Sequence, residues 1–186
     1  MTPTYSGILG QLMAAPKRQI FVSYHHQADQ AYYNAFSQTY CNQGYDVIQD
    51  NSLRNARDSD DPQYIMQAIR DNHITGSTCT IVLCGALTYG RKYVDWEIKG
   101  TLDRDHGLIG VRLPTAPLDP ATNRITVPAR LHDNISSGYA PWITWQQLMA
   151  GPVELKAFIE SALSPTVRPK ALIVNGREMM RRNTAG

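Results

Sequence analysis

No stretch of this chain approaches the roughly 18–20 consecutive apolar residues that a membrane-crossing helix needs. The sequence lacks a C-x-x-C pair, and its three cysteines, Cys41, Cys79 and Cys84, are odd in number. A disulfide framework is not expected, and a reducing, cytoplasmic setting is. No G-x-G-x-x-G follows the first strand-like run and no G-x-x-x-x-G-K-[ST] occurs, so any phosphate is held by another device. Basic charge is scarce where nucleic acid would require it. The net charge is +2, but residues 164–186 carry five basic side chains (Arg168, Lys170, Arg177, Arg181 and Arg182) against the single acid Glu178. The first 163 residues are therefore slightly acidic, and no nucleic-acid footprint is expected on the body of the fold. The basic 164–186 extension reads as solvated rather than as a binding arm, with docking of its "KALIV" on the body or on a partner left open. At the other end "ILGQLMAAP" lacks a basic leader and is broken by Gly10 and Gln11. Residues 1–17 thus read as an arm or short added helix, not as a signal peptide.

What is present suits one domain over residues 18–163. The chain has 186 residues, 42% of them apolar, enough to fill a layered core. "RQIFVSY" (18–24) is a compact β-branched and aromatic run, expected as a buried strand. Ala28, Tyr32, Phe36 and Tyr40 recur at i+4 and predict a helix face over 28–42, ended by Gly44. "YDVI" (45–48) predicts a second strand, and the polar run 49–61 an exposed loop. Asp61-Pro62 then opens a helix to about Asp71, with Ile65, Ala68 and Ile69 inward. "TCTIVLC" (78–84) does not alternate, which marks a strand covered on both faces. A helix follows over "YGRKYVDWEIKGTL" (89–102), then a strand at 107–113 and a long Pro/Asn/Asp/Ser-rich segment over 114–140. "WITW" (142–145) suggests an edge strand, and Gly151-Pro152 opens a final helix with Leu155, Phe158, Ile159 and Ala162 on one side. Alternating strands and helices predict an α/β fold with a parallel sheet of about five strands in flavodoxin-like order 2-1-3-4-5. The ligand crevice of such a sheet opens at the carboxyl ends of strands one and three, beside Ser23, Tyr24, His25 and Gly85.

Several side chains near that crevice invite a chemical reading. Glu97 lies beside the Val94, Ile98 and Leu102 stripe of its helix, next to Trp96. Snorkelling to water or pairing with Arg104 competes with a role at the crevice. His25-His26 has no Asp or Cys partners at metal spacing, so no metal site is expected. Cys84 before Gly85 stands at a strand-to-loop turn but lacks a His/Asp pattern, which favours a buried thiol. Tyr24, Tyr89, Tyr93 and Trp96 offer either packing or stacking against a flat ring.

Three segments in order, "KRQIFVSYHHQAD", "YGRKYVDWEI" and "VPARLHDNISSGYAPWITW", resemble the bacterial TIR-like domains, in particular the branch that includes the TIR protein of Thoeris antiphage defence. The resemblance covers roughly residues 17–146 and implies the flavodoxin-like TIR fold, a three-layer sandwich. It also implies cleavage of NAD at the nicotinamide–ribose bond, with Glu97 in the catalytic position. NAD would then be the substrate, with no further cofactor. The product would be a cyclic or rearranged ADP-ribose messenger that activates a separate effector protein. Self-association through TIR–TIR contacts and a phage-derived trigger follow from the same resemblance, with no membrane or nucleic-acid partner. The Trp96-Glu97 pair stands where other TIR domains carry a Trp-Cys before a later Glu.

One carboxylate suffices for that chemistry, because nicotinamide leaves as a neutral molecule and needs no proton. Ser23, Tyr24, His25, Gly85, Tyr93 and Trp96 are expected to line the substrate site. The 114–140 segment is expected to act as a lid, turning Arg130 and Asn134 toward the diphosphate or ribose, with hydrogen bonding inside the loop as the alternative for both. Two other classes remain open: a non-enzymatic TIR interaction module with the 49–61 loop as its assembly surface, and a nucleoside deoxyribosyltransferase-like enzyme.

Overall fold

A computed structural model describes residues 18–41, 45–49 and 76–184. The expected arm over 1–17, Gly44, nearly all of the polar 49–61 loop and the helix from Asp61 to Asp71 lie outside them. Five parallel strands, β1 (Arg18–Ser23), β2 (Tyr45–Gln49), β3 (Ser77–Cys84), β4 (Gly107–Arg112) and β5 (Trp142–Thr144), form one sheet in the order β2-β1-β3-β4-β5. This is the order expected from the alternating pattern. β3 sits at the centre, and Cys79 through Cys84 are all buried. Its alternate residues face opposite layers. Cys79, Ile81 and Leu83 join one core cluster, while Val82 and Cys84 join the other.

On the first face lie α1 (His26–Tyr40) and the last long helix, which spans Pro152–Leu163. α1 contains no Gly or Pro in its fifteen residues. Its buried face is Asp29, Tyr33, Phe36 and Tyr40, with Ala28 exposed and Tyr32 only half-buried against Trp145. The i+4 face expected from 28, 32, 36 and 40 is therefore corrected by one residue at its start. At 100° per residue a strict i+4 row drifts around the helix, and the 29-33-36-40 spacing holds one side. The Pro152–Leu163 helix begins with Pro at a first-turn position, where a missing N–H has no cost, and buries Leu155, Ile159 and Ala162.

α2 (Lys92–Leu102) covers the second face with Val94, Ile98 and Leu102 inward, as expected. The 114–140 segment is not structureless. It contains α3 (Ala129–Ser136), whose buried residues are Arg130, Leu131 and Asn134. Two polar residues on the inner face disguise the helix from any apolar periodicity. A one-turn helix, α4 (Trp145–Leu148), follows β5 and starts with a reciprocal capping box between Thr144 and Gln147; the Pro152–Leu163 helix is α5. The 164–186 extension also departs from expectation, because its described part, up to Thr184, folds back over α2 and α3.

At Gly110 of β4, a Cβ would stand 2.6 Å from Cε3 of Trp142 on the neighbouring strand. The ring is partly buried against the second core cluster, and Leu131 Cδ2 of α3 lies 3.3 Å from the same Cβ position. Gly110→Ala is expected to cost about 1–3 kcal/mol in a urea titration. An unchanged midpoint would show that the β4–β5 edge repacks without strain.

Candidate active site

β1 ends at Ser23, and Tyr24-His25 turns the chain into α1. From the end of β3, residues 85–91 lead into α2. Both helices thus begin at the carboxyl edge of the two central strands, and a cavity of about 360 Å³ opens between them. Tyr24, His25, His26 and Gln27 form one wall, and Arg91, Tyr93 and Val94 the other. Asn183 closes it from the C-terminal segment.

Glu97 lies one turn further along α2, three and four residues beyond Val94 and Tyr93, on the same side of the helix. It is only 3% exposed. Ser23 Oγ donates to Glu97 Oε2 at 2.5 Å, binding the carboxylate to the end of β1. Snorkelling to water is thereby ruled out. The turn below is fixed by Thr101, whose hydroxyl donates to the Glu97 carbonyl and lies 2.7 Å from the hydroxyl of Thr80 on β3.

The expected lining residues divide into three groups. Tyr24, His25 and Tyr93 line the cavity, while neither Ser23 nor its partner Glu97 does. Gly85 and Trp96 are engaged elsewhere. A Cβ on Gly85 would lie 2.2 Å from Asp29 Oδ1, so the glycine makes room for that buried acid. Trp96 is 3% exposed and donates its ring N–H to the Met180 carbonyl at 2.8 Å. One face of the Tyr24 ring is also taken, by stacking on Tyr33 at 4.9 Å.

Arg130 and Asn134 do not reach the crevice, which corrects the expected lid. Arg130 is fully buried and bonds Asp95 through Nε (2.9 Å) and Nη2 (3.3 Å). Its remaining donors reach Asn175 Oδ1 and the carbonyls of Arg177 and Glu178. Asn134 exchanges two bonds with the backbone of Val174. The C-terminal segment held in this way continues along α2. The Met180 N–H donates to Asp95 Oδ2, Asn183 Oδ1 accepts from Lys92 N–H, and Thr184 N–H bonds the Gly90 carbonyl. A basic segment therefore serves as a structural strap, because a buried arginine on α3 collects its carbonyls.

Sequence reasoning missed Asp29 and Asp95. Asp29 is fully buried on α1, accepting from Thr88 (3.1 Å) and Thr115 (3.5 Å). Burial raises its pKa, against the pull of those two hydroxyls. Its place at 29 in the 29-33-36-40 series was the available signal. Cys84 is inert as a nucleophile: burial pushes its thiol far up, and the nearby Asp29 charge acts in the same direction. Burial likewise takes Cys79 up to about 12. His25 is lowered, first by burial and then by the Arg91 and His26 charges.

The model of the Thoeris protein ThsB, TIR-like domain, matches residues 21–117. The chain belongs to this family. The matched part of this TIR-like protein runs from β1 past β4 and includes Ser23, the cavity walls on α1 and α2, and Glu97. α3 and the strap lie beyond it. No curated protein matches the chain. Among solved structures it is similar to the TIR domains of the activated Roq1 resistosome directly recognizing the pathogen effector XopQ, at 16% identity and TM-score 0.36. That alignment covers 56% of this chain and 61% of the other, less than two thirds of its length, and carries no weight for function. No helix among the described residues is long and apolar enough to cross a membrane.

Removing Arg130 strands Asp95 and releases the strap carbonyls. Arg130→Ala is expected to cost about 3–5 kcal/mol and to speed amide exchange across 174–184. Wild-type exchange there would refute the clamp. His25 provides a second test. With its folded pKa below the unfolded value of about 6.5, it supports the fold fully above that pH. The contribution is lost as pH falls through the folded value. His25→Gln should therefore flatten the acid side of the stability–pH curve below about pH 6.5, relative to wild type.

Proposed function

We propose that this TIR-like protein cleaves NAD between nicotinamide and ribose and converts the remainder into a cyclic or rearranged ADP-ribose messenger. In an antiphage setting that messenger would activate a separate effector. The observation that carries the reading is the buried Glu97 carboxylate, held by Ser23 one helical turn beyond the residues that line a cavity at the switch point of the sheet. Ligands of open α/β sheets bind at such a point.

The chemistry requires little more. The C1′–N bond breaks with its electron pair going to the pyridinium nitrogen, so nicotinamide leaves uncharged. The ribose becomes oxocarbenium-like, and a fixed negative group beside it lowers the barrier without reorganisation. Glu97 supplies that group, and Ser23 fixes its direction. A nucleophilic atom of the same ADP-ribose then closes onto C1′ and loses its proton, giving a cyclic product. Water attacking the same carbon gives linear ADP-ribose. The aromatic cavity walls and low exposure of the carboxylate favour the first route by limiting water. Because Glu97 is only 3% exposed in this structure, the residues around it must shift to admit the sugar. Such a shift offers a place for a trigger or for TIR–TIR assembly to act.

Incubating purified protein with NAD, with and without phage-infected extract, tests the reading by nicotinamide release and mass spectrometry. Glu97→Gln keeps an acceptor for Ser23 and is expected to fold normally while losing on the order of 10²–10³-fold in rate or more. Ser23→Ala is expected to lose roughly ten- to a hundredfold. Full activity in Glu97→Gln would remove the assignment. Base exchange with a deoxynucleoside would instead indicate a deoxyribosyltransferase, and turnover of neither substrate would indicate an interaction module.

A further inference from the structure

We propose that residues 181–184 form an autoinhibitory latch: docked, they fasten the start of α2 and close one side of the cavity, and undocked they open the way toward Glu97. That undocking admits NAD rests on the reading above, whereas the latch itself rests on how unevenly the strap is held. Val174 exchanges two bonds with the buried Asn134. Asn175, Arg177 and Glu178 give oxygens to the fully buried Arg130. Met180 is fixed through both backbone groups, its N–H donating to Asp95 and its carbonyl accepting from Trp96.

Beyond Met180 the anchoring changes. Arg181, Arg182, Asn183 and Thr184 are all exposed and join neither core cluster. Among the described residues they are held by two neutral hydrogen bonds, Lys92 N–H to Asn183 Oδ1 at 3.0 Å and Thr184 N–H to the Gly90 carbonyl at 2.9 Å. Each such bond shifts the docking equilibrium by a factor of only about 2–13, and the entropy of ordering four residues opposes it. The same bonds bring Arg181 and Arg182 alongside Arg91 and Lys92, and none of the four has an ion pair among the described residues. Like charge there loosens the docked state further. Position makes this weak contact consequential. Gly90 and Lys92 flank the start of the helix that carries Glu97, and Arg91 between them makes no side-chain cap. Asn183 supplies that cap from the strap and lines the cavity from the same place. With the latch docked, Glu97 is 3% exposed. Opening begins where a structure is held least, and the Arg130 clamp keeps the rest of the strap from leaving with the latch.

Amide exchange followed by NMR on the full chain tests the latch without NAD, and alkylation of a Tyr93→Cys variant by iodoacetamide reads access to the cavity wall. The Lys92 and Thr184 amides should be less protected than those of Val174 and Met180. Asn183→Ala removes one latch bond, and Thr184→Pro removes the other by deleting its N–H. Each should speed Lys92 exchange and alkylation at position 93 by about 2–13-fold, while Val174 stays protected. With NAD, each should raise nicotinamide release by a similar factor, and adding Glu97→Gln should abolish that gain. Equal protection across 174–184, alkylation unchanged in either variant, or wild-type nicotinamide release that neither variant raises overturns the latch. Faster alkylation in both variants with no nicotinamide released by any form instead sinks the NAD-cleaving reading and leaves the latch standing.

Discussion

The hydrogen bond from Ser23 to Glu97 joins the end of a central strand to the helix that crosses above it. A carboxylate in a buried setting is tolerated only when its lone pairs are met. Here a strand-end hydroxyl donates to one of its oxygens, Oε2. The pairing fixes how α2 rotates against the sheet, because the same turn must deliver Val94 and Ile98 to the core. Once α2 is set in that rotation, Tyr93 and Val94 form a wall of the crevice and Arg91 stands at its mouth.

Three consecutive residues of α2 are each committed in a different direction. Asp95 turns to Arg130 and the strap, Trp96 to the Met180 carbonyl, and Glu97 to Ser23. A helix with polar residues buried on both sides of its apolar stripe needs a cover on its outer face. The strap over 174–184 provides that cover. Its backbone groups satisfy Arg130, Asn134 and Asp95, which would otherwise be stranded in the interior. The cavity therefore depends on both ends of the described chain, with the turn after β1 lining one side and Asn183 of the C-terminal segment another.

The strands, their order and the location of the crevice were legible because they rest on local signals. β3 reads as buried from its unbroken apolar run, and Pro152 marks the start of the last helix. Glu97 was legible as an anomaly, an acid beside Trp96 next to an apolar stripe. What escaped notice rests on pairing between distant segments. α3 hides because its inward residues, Arg130 and Asn134, are polar, and only their partners near residues 174–178 make them interior. The strap looked solvated because composition counts its charges but not the carbonyls that Arg130 gathers. Asp29 was passed over since its partners, Thr88 and Thr115, lie far along the chain.

NAD cleavage as proposed requires the Glu97 carboxylate to face a ribose carbon at the base of this crevice. A co-crystal structure with carba-NAD, whose nicotinamide link cannot break, tests it most directly. The expected result places the nicotinamide-bearing ring carbon about 3–4 Å from the Glu97 carboxylate, with the carboxylate opened to the cavity. A dinucleotide seated at another edge of the sheet, with Glu97 still covered and held by Ser23, would overturn it.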